Sequence, residues 1–201
     1  HLLAIKKFNS EALELKSREE ENYLKLNYPL IPKFYGIQND NCLIIQYILG
    51  QKIDDDLVKK LSIEDKVLII IQLMLIIKYL HDNKFVYRDL KLDNIIVNEN
   101  KIAFLIDFDR MIEMNSPRSE LKNFTNDFGS NFIAPEVNYG KIFYKNDIYS
   151  LGKIIKYLQL ENRYKIMSFC DKCINNDVNK RPSLLNLMCR FYLTFFQYLN
   201  G

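Results

Sequence analysis

The chain has 201 residues, 48% of them apolar, which suits one domain or two small lobes sharing a buried core. Its 28 basic and 25 acidic residues leave a net charge of +3 with no basic run, which excludes the electrostatic footprint of a nucleic-acid binder. The longest apolar run, residues 67–77, is broken by Gln72 and is too short to cross a bilayer, so no membrane partner is expected.

Residues 1–8 read as a strand. Ser10 is placed to cap a helix from residue 11 to about residue 26, with Leu13, Leu15, Tyr23, Leu24 and Leu26 as its apolar positions and Pro29 and Pro32 ending it. Two short strands follow, residues 34–37 and 42–46, joined by a turn at Asn39-Asp40-Asn41. Gly50 marks a connector. From Leu57 onward the pattern is mainly helical, and the run at residues 67–77 is apolar nearly all round, which predicts a buried helix. The exception is residues 85–106, where Ile95-Ile96-Val97 and residues 102–106 form a hairpin pattern turning at Asn98-Glu99-Asn100. The order is a small strand–helix–strand unit and then a larger helical one, hence an α+β chain of two lobes with a cleft between them.

The acidic triplets Glu19-Glu20-Glu21 and Asp54-Asp55-Asp56 read, on composition alone, as solvated helix surface. Cys170-Asp171-Lys172-Cys173 has suggestive spacing, but no second ligand pair completes a zinc site and no strand precedes it as a redox motif would need. Both thiols are expected to be reduced in the cytosol, with a cytoplasmic location for the protein.

The densest chemistry is Tyr87-Arg88-Asp89-Leu90-Lys91-Leu92-Asp93-Asn94, followed thirteen residues later by Asp107-Phe108-Asp109. Phosphoryl transfer needs a carboxylate near the attacking hydroxyl, metal ligands, and a cation for the phosphates. One loop supplies Asp89, Lys91 and Asn94, and the hairpin returns Asp107 toward it.

These residues resemble the catalytic loop of the eukaryotic protein kinases in its Tyr-Arg-Asp variant, and Asp107-Phe108-Asp109 resembles the Asp-Phe-Gly that binds magnesium. Ala4-Ile5-Lys6 is similar to the end of the Val-Ala-Ile-Lys strand, and Ala134-Pro135-Glu136 matches the Ala-Pro-Glu that closes the activation segment. The stretch from Asp147 to Gly152 resembles the start of the central helix, and Arg181-Pro182 the arginine that pairs with the Ala-Pro-Glu glutamate. Six motifs in family order identify the chain as a protein kinase domain over residues 1–201, with a partial β-rich N-lobe over 1–47 and a helical C-lobe over 48–201.

The resemblance implies a role for each matching residue. Asp89 orients or deprotonates the substrate hydroxyl, Lys91 contacts the transferred phosphate, and Asn94 and Asp107 hold Mg2+. Lys6 contacts the phosphates of ATP and pairs with a helix glutamate. Counting back from Asn27-Tyr28-Pro29 selects Glu19, with Glu20 the alternative. Ala4 and Ile96 sandwich the adenine, Ile45 is the gatekeeper, and the backbone from Gln46 to Ile48 forms the hinge. Tyr23, Phe34, Phe108 and Tyr87 form an aromatic spine anchored on Asp147, and Glu136 pairs with Arg181. His81 reads as structural.

The chain also departs from the family pattern. No Gly-x-Gly-x-x-Gly precedes Lys6, so the two strands that cover the ATP phosphates are expected upstream, and these residues alone are expected to bind ATP weakly. Asp109 stands where the family has glycine, which puts the mobility of that segment in question. Gly129-Ser130-Asn131-Phe132 resembles the substrate-facing Gly-Thr-x-x-Tyr with one residue missing. The interval from Gly152 to Arg181 is short, which implies that the helix after the central helix is largely absent. The cation two residues after Asp89 resembles the Ser/Thr kinase pattern, so the expected activity is ATP- and Mg2+-dependent phosphorylation of a protein Ser or Thr. A pseudokinase or scaffold that acts by binding is the alternative, favoured by Asp109 and the short C-lobe, and a small-molecule kinase is a third. Arg88, with Arg110 beside it, implies a phosphate on the activation segment. Thr125 is the expected site among Ser116, Ser119, Thr125 and Ser130.

Overall fold

The computed structural model describes residues 2–114, 131–160 and 167–199. Strand β1 (Leu3–Lys7) is followed by a single 3-10 turn at Ser10–Ala12 and helix α1 (Leu13–Tyr23). Ser10 lies within that turn and caps nothing. The helix is also shorter than its apolar positions predict, because Leu13 and Leu24 are exposed while Lys16, Glu19 and Asn22 are buried. Its inward face is therefore mainly polar, with Tyr23 as its buried aromatic.

Strands β2 (Phe34–Ile37) and β3 (Cys42–Gln46) complete an antiparallel sheet in the order β1-β3-β2. Asn39, at φ 59°, turns the chain between them, as Asn tolerates. Lys6 lies opposite Leu43 and Ala4 opposite Ile45 in the β1–β3 register. That pairing puts Ala4 and Lys6 on the sheet face opposite the exposed Leu3 and Ile5.

Strand β4 (Gln51–Lys52) leads to α2 (Asp55–Lys60) and α3 (Ile63–Asp82). Asp54 accepts a hydrogen bond from Leu57 N (2.8 Å) as N-cap of α2, so this acid is a cap and not plain solvated surface. Ser62 and Asp65 form a reciprocal capping box at the start of α3. Helix α3 is the buried helix expected, with Ile69, Ile70, Leu73, Ile76, Ile77 and Leu80 fully enclosed. The expectation of burial all round is corrected on one side, where Leu68, Ile71 and Leu75 remain 36–43% exposed.

Strands β5 (Phe85–Val86), β6 (Ile95–Val97), β7 (Ala103–Leu105) and β8 (Ile112–Glu113) build two small sheets, β4-β6-β7 and β5-β8. Gln72, the polar break in the apolar run, ties α3 to this hairpin. Its side chain accepts from Ala103 N (2.5 Å) and donates to Lys101 O (3.2 Å).

Helices α4 (Lys145–Tyr157), α5 (Met167–Cys173) and α6 (Leu184–Leu199) pack around α3 in one continuous hydrophobic core that also takes in Tyr23 and Phe108. Helix α5 packs directly on α4 at Gly152, where a Cβ would lie 2.7 Å from Cys173 Cβ. Cys170 and Cys173 are both buried there, and burial pushes the Cys173 thiol up. Among the described residues no helix is long and apolar enough to cross a membrane.

Candidate active site

The loop after β5 is held from below by α4. The buried carboxylate of Asp147 accepts hydrogen bonds from two consecutive backbone amides, Tyr87 N (3.0 Å) and Arg88 N (2.9 Å). His81 Nε2 lies 2.9 Å from the same carboxylate. Arg88 adopts a left-handed backbone with φ 70°, a conformation a non-glycine residue keeps only when its surroundings over-determine it. The paired Asp147 contacts supply that constraint and fix the backbone that leads into Asp89.

Asp89 is 2% exposed. Its Oδ2 accepts from Lys91 Nζ and from Asn94 Nδ2, each at 2.9 Å, and Arg110 Nε stands 4.0 Å away. Asn94, which ends the 3-10 turn Leu92–Asn94, also donates to Asp89 O (2.9 Å). The three residues expected to act together thus share one hydrogen-bonded cluster.

A second cluster links β1, α1 and the loop after β7. Lys6 Nζ lies 2.6 Å from Glu19 Oε2 and 3.0 Å from Asp107 Oδ1. Burial works against the Lys6 ammonium, but the two carboxylates outweigh it and raise its pKa above the ordinary lysine value. Glu19 is 0% exposed, so the solvated-surface reading of its triplet is wrong for this residue. The alternative, Glu20, pairs instead with Lys16 of its own helix at 2.7 Å.

Asp107 also has a left-handed backbone (φ 66°), and Phe108 N donates to Glu19 Oε1 (3.3 Å). Asp109 has no positive φ, so an aspartate in the family's glycine position adds no backbone strain here. Its cost is electrostatic. Asp109 Oδ1 is buried without a hydrogen-bond partner, and burial, with Asp107 beside it, pushes this carboxyl up to about 7.

Asn22 is a site residue that motif reading missed. Its Nδ2 donates to Phe108 O (2.6 Å) and Met111 O (3.1 Å), fixing the segment that carries Asp107. The available signal was its position one helical turn after Glu19, on the same face.

The aromatic residues expected as a spine form a continuous series of ring contacts. Tyr23 stacks on Phe34 (centroids 5.8 Å), Tyr23 meets Phe108 edge-on (5.3 Å), and Phe108 meets Tyr87 edge-on (5.4 Å). Arg181, wholly buried, holds Glu136 through two hydrogen bonds of 2.6 and 2.8 Å and lies over the Tyr149 ring at 4.9 Å.

Of the residues expected to meet the adenine, Ala4 and Ile96 lie on separate sheets and are each partly exposed, whereas Ile48 is buried. Gln46 N donates to Lys33 O (2.7 Å) and Tyr47 N to Leu2 O (3.0 Å). Asn94 and Asp107 offer an amide and a carboxylate oxygen, the hard donors Mg2+ takes, and the Asp107 side chain is 33% exposed and open to solvent. Ser116, Ser119, Thr125, Gly129 and Ser130 lie outside the described residues.

Comparison with known proteins finds protein kinases. A mimivirus protein (Acanthamoeba polyphaga mimivirus) named as a serine/threonine-protein kinase is 37% identical over 145 residues, 69% of this chain and 47% of the relative. The SNF1-like protein kinase ssp2 of Schizosaccharomyces pombe is 31% identical over 186 residues, 89% of this chain and 31% of the relative. Serine/threonine-protein kinase D of Synechocystis is 31% identical over 162 residues, 76% of this chain and 30% of the relative. The chain therefore spans less than half the length of each of these relatives. The family model described as "Protein kinase domain" matches residues 1–165. With that match and the six motifs on one fold, the chain belongs to the protein kinase domain family.

Proposed function

We propose that this chain transfers the γ-phosphate of ATP to a serine or threonine hydroxyl of a protein. The observation that carries the reading is the cluster in which Asp89 receives Lys91 and Asn94 while Lys6 bridges Glu19 and Asp107. Asp89 Oδ2 accepts the acceptor hydroxyl's proton or holds that hydroxyl in line with the phosphate. Lys91, 2.9 Å from Asp89, faces the transferred group and offsets its charge. Lys6, held by Glu19, contacts the nonreacting phosphates and exchanges its Asp107 contact for them. Ala4, Ile96 and the Gln46–Ile48 backbone receive the adenine. Asn94 and Asp107 would hold Mg2+, which supplies charge neutralisation on the phosphates.

The names of the relatives favour Ser or Thr over Tyr as acceptor. A second reading, a nucleotide- or protein-binding scaffold, is favoured by the unpartnered Asp109 Oδ1 beside Asp107. Incubation of the chain, joined to a glycine-rich strand pair ahead of Lys6, with labelled ATP, Mg2+ and peptides bearing Ser, Thr or Tyr acceptors separates the readings. Label is expected on Ser or Thr peptides, with a loss of at least about a hundredfold in Asp89→Asn at unchanged thermal stability, near 2.7 kcal/mol of barrier. Label surviving that substitution within about tenfold overturns the role of Asp89, and a Mg-ATP thermal shift without transfer supports the scaffold.

A further inference from the structure

A cavity of about 540 Å³ lies away from the site described above, between the end of α3, the start of α4 and the start of α6. Its volume falls within the range of pockets that enclose small organic ligands. The walls are mainly apolar, with Met114, Phe143, Ile148, Leu184 and Met188 among them. Lys78, Asp82 and Lys145 add polar groups. Lys78 is paired with Asp82 at 2.6 Å, whereas the Lys145 ammonium takes a backbone carbonyl, Asn179 O, at 3.2 Å. An apolar chamber with one carboxylate and two ammonium groups has a cationic surplus, which matches a compact aromatic or aliphatic acid.

The wall of this cavity also includes His81 and Tyr144, whose rings lie 4.8 Å apart. His81 Nε2 meets Asp147 at 2.9 Å, and Asp147 holds the amides of Tyr87 and Arg88. Three contacts therefore separate a molecule lying against the His81 ring from the backbone that aims Asp89. We infer that the cavity is a ligand site for a small apolar acid, and that filling it steadies the catalytic loop through His81 and Asp147. The binding part of this inference does not depend on the chain being an active kinase.

The methionines make the site readable. The chain has five, and Met114 and Met188 line this cavity. Met74 and Met188 line a separate apolar groove between α3 and α6. Methyl-labelled methionine NMR on the full chain, titrated with 1-anilinonaphthalene-8-sulfonate, is expected to show saturable shifts at Met114 and Met188 with Met74 unmoved. Its uncharged counterpart, N-phenyl-1-naphthylamine, is expected to bind at least about fivefold more weakly, and Lys145→Met to erase that difference. Phe143, 38% exposed and replaceable without opening the core, is expected to abolish the shifts as Phe143→Asp while the melting temperature holds. At saturation, amide exchange at Tyr87 and Arg88 is expected to slow by at least about threefold. Shifts at Met74 with Met188 but not Met114, or no saturable shift, overturn the site. Saturable binding with unchanged exchange at Tyr87 and Arg88 overturns the coupling.

Discussion

Lys6 and Glu19 meet at 2.6 Å with very different exposures, the lysine side chain 32% exposed and the glutamate not at all. The two partners are therefore not equivalent. Removing the cation leaves a carboxylate with no water to turn to, whereas removing the carboxylate leaves an ammonium that still has Asp107 and solvent. Lys6→Met is expected to destabilise the chain by about 3 kcal/mol, the low end for a broken buried pair. Glu19→Gln is expected to cost about 1 kcal/mol, the value of one ordinary hydrogen bond. Urea unfolding of both variants checks the order, and equal losses would show that Glu19 is not fully desolvated.

Glu136 and Arg181 should show a stronger coupling. The guanidinium is enclosed, bidentate on Glu136, and satisfied further by Lys145 O (3.0 Å) and Asn175 O (2.7 Å). Arg181→Met is expected to cost about 3–5 kcal/mol by stranding Glu136 and those carbonyls. The double variant with Glu136→Leu should lose clearly less than the sum of the single losses, as a double-mutant cycle by chemical denaturation would record.

Asp109 sets a pH dependence of defined sign. Its folded-state pKa is pushed up to about 7, above that of an unfolded aspartate, so between the two values the folded chain holds a proton the unfolded chain has released. Stability from this group thus falls as pH rises toward 7 and stays low above it. Asp109→Asn is expected to raise the melting temperature at pH 8 in metal-free buffer, with the gain shrinking as pH falls to about 4. A gain of the same size at both pH values would mean that burial of Asp109 is not what limits stability.

Gly152→Ala tests the α4–α5 contact. Helix propensity alone favours alanine by about 0.5–1 kcal/mol. The new methyl would lie 2.7 Å from Cys173 Cβ, an atom fixed to the α5 backbone, and overpacking of this kind costs about 1–3 kcal/mol. The expected result is net destabilisation by thermal melting, and a stabilised variant would show that α5 can shift away.

Much of this architecture was legible in the residues. Strands β2 and β3 fall on the expected positions because short runs rich in apolar residues, bounded by Asn, Asp and Pro, leave few other arrangements. The loop from Tyr87 to Asn94 was legible because several charged side chains at fixed spacing rarely serve packing alone. Helix α1 was legible in place, but most of its inward face was not, since Lys16, Glu19 and Asn22 are buried there beside Tyr23 and periodicity arguments track apolar residues. For the same reason the apolar run of α3 concealed its exposed side at Leu68, Ile71 and Leu75, which composition cannot tell from its buried one. The hydroxyls from Ser116 to Ser130 fall outside the described residues and stay expectations of sequence alone.

The hold of Asp147 on Tyr87 and Arg88 also bears on how the molecule assembles. The bonded residues are 60 and 59 positions apart in the chain, so the loop that carries Asp89 cannot take its shape from local preferences. Its left-handed turn at Arg88 is therefore expected to form with or after the docking of α4, among the long-range closures of folding. The amides of Tyr87 and Arg88 should then exchange with the same opening free energy as those of α4, as one cooperative unit.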